Sequence, residues 1–180
     1  MNNMVKGIAN LVLRFKRREK LIQLTKRSRK VPSSFSTLLV IVPEEVKLDE
    51  QMVIDFANQN NILLKNVTIV VVSKKEMEMP ELQIKNSFNF SRTQISFLGS
   101  LPMEWDPLFE KSYDLLLNLF TRSSLFTELI SASFHAQYRM GYVSVDSRLN
   151  DIIFTMKTPN TKQFLSECAP FMNALLKTKK

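Results

Sequence analysis

Residues 113–141, YDLLLNLFTRSSLFTELISASFHAQYRMG, decide the fold of this 180-residue chain. The segment 113–120 is a short apolar run, which is typical of a strand buried on both faces. Four apolar residues then follow at helical spacing: Leu125, Phe126, Leu129 and Ile130. The last segment is short and is closed by Gly141. Strand, helix and strand in this order form a crossover unit, which predicts a parallel sheet covered by helices.

Other parts of the chain extend this pattern. The apolar runs 37–42 and 67–72 predict two more buried strands, joined by a helix that begins near Asp49. Alternation of Phe88 and Phe90 with polar residues predicts a half-exposed strand at a sheet edge. Residues 152–156 predict a last strand, before a C-terminal helix that Pro170 should kink or restart. The sequence therefore predicts a three-layer, Rossmann-like α/β domain with a mostly parallel sheet over residues 35–180.

The positive charge of the chain is concentrated at its start. The formal net charge is +8, and residues 1–30 contain ten Lys or Arg but only one acid, Glu19. From Met4 to about Leu24 the apolar residues fall three or four apart, with Glu19 interrupting, which predicts a basic amphipathic helix. Pro32 disfavours helical geometry at Val31, so residues 1–34 are predicted to be this helix and a linker.

Three interpretations suit such a helix. Clustered cations favour RNA or a ribonucleoprotein such as the ribosome, with phosphates contacted by one set of residues: Arg14, Lys16, Arg17, Arg18, Lys20, Lys26, Arg27, Arg29 and Lys30. The same helix could lie on an anionic membrane surface, with Val5, Ile8, Val12 and Phe15 facing the lipid and the cations at the headgroups. In a third interpretation the apolar stripe packs on its own domain, on a second copy or on another protein partner.

The residues that usually carry catalysis are scarce. His135 is the single histidine and Cys168 the single cysteine, and no second ligand stands at metal spacing from either. Cys168 lies on an apolar helical stripe, which favours a small buried residue. Only three glycines occur, and none belongs to a phosphate-binding loop that leads into a helix. The sequence therefore predicts no catalytic residue, no metal and no cofactor.

One candidate ligand site remains. Open parallel sheets bind ligands beyond the carboxyl ends of their strands, and cations and a serine follow two predicted strands here. An anion could bind Lys74, Lys75, Arg122 and Ser123, although a serine that merely caps the next helix explains Ser123 as well. Arg139 and Arg148 could line the same site, or could pair with Asp146 or Asp151 to hold a loop.

Two segments, Arg139-x-Gly141 and Arg148-Leu-Asn-Asp151, carry a resemblance to known proteins. The chain resembles an uncharacterised family of Bacteroidota proteins with a basic N-terminal helix, and this resemblance implies a lineage but no activity. It is also similar to the Rossmann-like lobes of sugar-transferring enzymes, in which an Arg-x-Gly turn follows a strand–helix unit. Those enzymes form their cleft between two lobes, whereas this chain has the length for one.

These features together predict a non-catalytic accessory protein that docks through its basic helix on RNA or the ribosome. Docking on a membrane surface and an enzyme that acts on a sugar or phosphorylated small molecule at the sheet edge are the alternatives. A single cysteine, the absence of a spanning apolar run and charges from Arg14 onward predict a cytoplasmic location.

Overall fold

The computed structural model describes residues 3–29, 33–79, 81–96, 99–156 and 160–177. The strands are β1 Leu38–Pro43, β2 Val67–Ser73, β3 Ser87–Ser91, β4 Ser112–Asn118, β5 His135–Tyr142 and β6 Ile152–Phe154. The helices are α1 Asn3–Lys26, α2 Glu50–Gln59, α3 Asp106–Glu110, α4 Leu125–Ser133 and α5 Thr161–Lys177. Lys30 and the predicted boundary residues Val31 and Pro32 lie outside the described residues.

The six strands form one sheet in the order β3-β2-β1-β4-β5-β6, and every neighbouring pair is parallel. The predicted α/β fold is confirmed, and the sheet is parallel throughout its described strands rather than mostly parallel. The chain winds outward in one direction from β1 to β3 and then in the other direction from β4 to β6. The strand order therefore reverses between β1 and β4, at the centre of the sheet.

Helices cover both faces of the sheet, as the apolar strands predict. Side chains alternate along each strand, so Val40 of β1 packs with the cluster of α2 and α5 while Ile41 packs with that of α1 and α4. Asp49 caps α2 as predicted, because its Oδ1 accepts a hydrogen bond from the Gln51 amide at 3.0 Å. Helix α5 continues across Pro170, so it does not restart there.

The basic helix α1 forms part of one helical layer. Leu13, Leu21 and Leu24 are buried in the same cluster as Ile41 and Ile130, and α1 packs against α4. Burying a leucine side chain contributes about 2 kcal/mol to the stability of the fold, so these contacts hold α1 firmly against α4 and the sheet. The division of the chain at residue 34 stays a prediction, whereas the packing of α1 onto the α/β core is part of the structure.

Candidate functional site

Helix α1 carries apolar side chains on two opposite sides. Its inner side is buried, but four large apolar residues point to solvent with exposed fractions of 44%, 67%, 70% and 38%: Ile8, Leu11, Phe15 and Ile22. These residues are separated by steps of three, four and seven, so they lie along one side of the helix. Arg14, Arg18 and Lys26 continue the same line by steps of three and four, and the exposed Glu19 interrupts it between Phe15 and Ile22. We call these eight residues the outer face of α1.

The prediction that this apolar stripe packs on its own domain is wrong for Ile8, Phe15 and Ile22, which are exposed. A different set of residues makes the contact with the core: Ala9, Leu13, Leu21 and Leu24. Val12 is half-buried at the border between the two sides, and the side chain of Val5 lies outside the described residues. The outer face is thus a separate surface that the core does not use.

The cations of α1 and of the segment 27–29 that follows it divide into two groups. Those of the first group contact the rest of the molecule: Lys16 Nζ donates to the Gly99 carbonyl at 2.9 Å, and Arg17, Arg27 and Arg29 each pair with an acid. In the second group, Arg14, Arg18 and Lys26 are exposed and pair with no acid in the part of the chain that the structure describes. Lys20 is half-buried and lines a cavity of about 360 Å³ beside Arg27 and His135.

The contacts of the first group hold α1 in place. Arg17 Nη1 lies 2.9 Å from Glu128 Oε2 of α4, and its Nη2 lies 3.4 Å from Asp146 Oδ2. Glu128 is fully buried and also accepts a hydrogen bond from Ser123 Oγ at 2.7 Å. Because a buried carboxylate needs a charge partner, Arg17 is part of the folded structure.

Arg139 is fully buried and takes no part in a surface site. Its Nε donates to the Leu149 carbonyl at 2.7 Å, and its Nη2 donates to the carbonyl and the hydroxyl of Ser131 at 2.7 and 2.6 Å. Burial and then repulsion from Arg27 lower the pKa of Arg139 to about 9, so it stays a cation at neutral pH. The guanidinium therefore joins the end of α4 to the turn before β6.

Arg148 pairs with Asp146, which confirms one of the two predicted arrangements. Arg148 Nε and Nη2 donate to the two carboxylate oxygens at 2.9 and 2.7 Å. This hydrogen bonding lowers the pKa of Asp146, since it stabilises the carboxylate form. The backbone amide of Arg139 also donates to Asp151 Oδ2 at 2.9 Å. The two arginines thus organise the segment 139–151.

A cleft of about 530 Å³ lies at the carboxyl edge of the sheet. It opens beyond the ends of β1 and β4, where the strand order reverses, and ten residues line it: Pro43, Glu45, Val46, Lys74, Phe120, Thr121, Arg122, Ser123, Ser124 and Thr127. The structure therefore brings together three of the predicted ligand-site residues, Lys74, Arg122 and Ser123. Lys75, Arg139 and Arg148 lie outside this lining.

Sequence reasoning missed Glu45 and Thr127 of the cleft. Glu45 follows β1 almost directly, so its position after a predicted strand was the available signal. Thr127 lies in the first turn of α4 and reads in the sequence as one more polar residue of an amphipathic helix. Its place in the cleft depends on how α4 sits over the sheet, which the sequence does not specify.

Cys168 is buried, as its place on an apolar helical stripe predicts. The thiol is buried between α5 and the sheet, and this burial raises its pKa above the usual range. His135 begins β5 at an exposed position. In the described ranges, no group of three or more His, Cys, Asp or Glu residues is arranged to hold a metal ion. Among those residues, no helix is both long enough and apolar enough to span a bilayer.

Fold and surfaces together define a single-sheet, doubly wound α/β protein with a basic helix packed on one layer. The chain belongs to the family of unknown function DUF6913, whose model matches residues 12–175. The predicted membership of an uncharacterised family is thereby confirmed, while the Bacteroidota lineage stays a prediction. No curated protein matches the chain, and no solved structure matches it.

Proposed function

We propose that this is a peripheral docking protein whose outer face of α1 binds an anionic membrane surface. The observation that supports the proposal is the exposure of four large apolar side chains on a helix whose other side is already buried. Isolated exposed apolar residues are ordinary, but a line of them, interspersed with cations and interrupted here by one acid, Glu19, is typical of helices that lie in the interface of a bilayer.

The composition of the outer face suits a lipid surface. Leu11 and Phe15 are its most exposed apolar residues, at 67% and 70%, so insertion would remove most of their surface from water. Arg14, Arg18 and Lys26 would reach the headgroups, and each basic residue near an anionic leaflet contributes about 1 kcal/mol. The apolar and the electrostatic contributions act on the same side of one rigidly held helix.

RNA docking, the first prediction from the sequence, fits the outer face less well. Four of the nine cations named for it, Lys16, Arg17, Arg27 and Arg29, contact the rest of the molecule. Lys20 lines a cavity beside Arg27 and His135. The other described cations, Arg14, Arg18 and Lys26, are interleaved with apolar side chains that add nothing to a phosphate contact. Nucleic-acid surfaces without base stacking use cations and polar groups instead. We therefore treat RNA binding as an outcome that the experiment must distinguish.

The test is co-sedimentation of the full chain with phosphatidylcholine vesicles, with and without phosphatidylserine. Wild-type protein should sediment with the anionic vesicles and remain in solution with the neutral ones. Phe15→Glu should abolish this binding, because it places a charge on the inserted side. The matched control is Leu63→Glu, since Leu63 is 59% exposed but lies in a turn on another part of the molecule.

Several results would contradict the proposal. Failure of the wild type to sediment with anionic vesicles would exclude it, and so would equal binding by Phe15→Glu and Leu63→Glu. A filter-binding assay with structured RNA distinguishes RNA binding from membrane binding. Tight RNA binding that is lost in Arg18→Ala and retained in Phe15→Glu would replace the membrane proposal with a nucleic-acid one.

A further inference from the structure

The cavity beside Lys20 and Arg27, of about 360 Å³, lies at the amino edge of the sheet, opposite the edge that holds the cleft. The first residues of two neighbouring strands line it, Ser112 of β4 and His135 of β5. The second half of α1, the end of α3 and the end of α4 supply most of the remaining lining. The cavity shares no lining residue with the cleft and none with the outer face of α1, so neither site explains its composition.

The wall on the side of α1 is basic. Lys20 is half-buried, and it pairs with no acid in the part of the chain that the structure describes. Arg27 directly follows α1, and its side chain is only 17% exposed. Partly buried charges are screened less by solvent and salt than exposed ones, so these two cations give the cavity a positive potential.

A single carboxylate behind this wall serves two arginines. Asp151 pairs with Arg27 and also with Arg29, whose Nη2 lies 2.8 Å from Asp151 Oδ1. Burial lowers the pKa of Arg27 although Asp151 opposes the shift, and the nearby Arg29 adds to the lowering. Repulsion from Arg27 also reaches the buried Arg139. The positive charge around Asp151 therefore exceeds the negative charge that this carboxylate provides.

The guanidinium of Arg27 also has an unused donor. Its Nη2 pairs with Asp151, but its Nε is buried and has no hydrogen-bond acceptor among the described residues. Buried donors normally have an acceptor, and an exception calls for a physical reason. The unused donor and the excess of positive charge are two separate observations, and both point to an anion in the cavity that Arg27 lines.

The donors of the lining suit a phosphate group better than a carboxylate. Lys20, Arg27 and a ring N–H of His135 can donate hydrogen bonds, and the Ser112 hydroxyl adds a further donor. A phosphate group has three acceptor oxygens and a charge of about −1.5 to −2 at pH 7, whereas a carboxylate has two oxygens and a single charge. Glu110 also lines the cavity, but it is exposed, so solvent weakens its repulsion of an anion.

We propose that this cavity binds the phosphate group of a small molecule. Lys20 and Arg27 attract the phosphate, and the His135 ring and the Ser112 hydroxyl bind its remaining oxygens. The cavity is separate from the outer face of α1, so this proposal stands whether or not the protein binds vesicles.

Isothermal titration calorimetry on the full chain tests this assignment, with inorganic phosphate, glycerol 3-phosphate and acetate as probes. Both phosphates should bind, and acetate should bind at least about tenfold more weakly, because it has fewer acceptor oxygens and less charge. Lys20→Gln should weaken phosphate binding about tenfold, since a charge-assisted hydrogen bond is lost. Its matched control is Lys85→Gln, because Lys85 is exposed and precedes β3 at the same edge of the sheet, three strands away from β4.

A third variant should act in the opposite direction. Glu110→Gln should strengthen phosphate binding about threefold, because it removes the carboxylate that repels the ligand. Circular dichroism should show the same fold for all three variants, since the replaced residues make no ion pair in the described ranges.

Three results would overturn the proposal. Absence of heat with both phosphates would leave the cavity to solvent, and Lys20 would then only offset the negative carboxyl end of α4. Equal phosphate affinities of Lys20→Gln and Lys85→Gln would place binding elsewhere on the molecule. Acetate binding as tight as phosphate binding would contradict the assignment to a phosphate group.

Discussion

Replacing Arg17 by methionine should destabilise the protein by about 3 kcal/mol, which is large for a residue on a surface helix. The side chain of Glu128, its partner, is completely buried, whereas that of Arg17 is 26% exposed. Breaking a buried ion pair by removing one member costs about 3–5 kcal/mol, since the other charge is left without compensation. The partial exposure of Arg17 and the remaining hydrogen bond from Ser123 place the expected loss at the lower end of this range.

Urea unfolding monitored by the fluorescence of Trp105 measures this loss. Trp105 is the single tryptophan, it is buried, and its ring stacks on Phe90 with centroids 4.0 Å apart. It belongs to the same apolar cluster as Leu13 of α1, so its emission should report the packing of that layer. The midpoint should fall while the slope stays unchanged, which is the signature of lost stability without a change in the denatured state.

The matched control for this substitution is Arg18→Met. Arg18 is the next residue of the helix, it is exposed, and it pairs with no acid among the described residues, so its loss should cost less than about 0.5 kcal/mol. A double variant with Glu128→Gln should recover much of the stability, because no uncompensated charge is then buried. Equal, small effects of Arg17→Met and Arg18→Met would refute the structural role of Arg17.

Two further substitutions or treatments test the core. Gly141→Ala should destabilise the protein by about 1–3 kcal/mol, because the added Cβ would lie 2.4 Å from Asn150 Nδ2. Gly7→Ala should instead stabilise α1 by up to about 1 kcal/mol, because its Cβ would meet nothing within 4 Å. Equal urea midpoints for the two variants would contradict both expectations. Cys168 should react with iodoacetamide only after unfolding, because burial removes the thiol from solvent and raises its pKa. Rapid labelling of the native protein, followed by mass spectrometry, would show that the thiol is accessible.

The α/β fold could be predicted because its central strands are buried on both faces. Such strands are continuous apolar runs, and residues 37–42, 67–72 and 113–118 show this directly. The order of the strands could not be predicted in the same way. Because crossovers are nearly always right-handed, whether β4 pairs with β1 or with β3 depends on which face of the sheet each crossover helix covers. That choice is made by packing across the sheet, and local sequence does not specify it.

The orientation of α1 was left open by sequence reasoning. The helix carries two apolar stripes in the sequence, one with Ile8, Phe15 and Ile22 and the other with Leu13 and Leu21. Both stripes are apolar, so periodicity alone cannot say which of them faces the core. In the structure Leu13 and Leu21 face the core, and Arg17, which lies between them on the helix, pairs with Glu128.

Arg139 shows a different limit of sequence reasoning. Its predicted roles were a ligand site or an ion pair with Asp146 or Asp151 that holds a loop. Full burial was not predicted, and fully buried arginines are rare. Its hydrogen-bond acceptors come from Ser131, Phe134 and Leu149, which belong to the end of α4, the start of β5 and a later turn. Only the folded chain brings these acceptors to one place, and they make the burial of the charge acceptable.

The positive charge of α1 and of residues 27–29 has two separable functions. Arg17, Arg27 and Arg29 pair with acids of the α/β domain, so changing them should alter stability first and any docking only indirectly. Arg14, Arg18 and Lys26 contribute nothing comparable to the fold, so changing them should affect docking alone. A helix held rigidly on one side also presents its other side without further ordering, which lowers the entropic cost of binding a surface. The same packing that made the basic helix part of the fold therefore makes its outer face a better candidate for docking than a free tail would be.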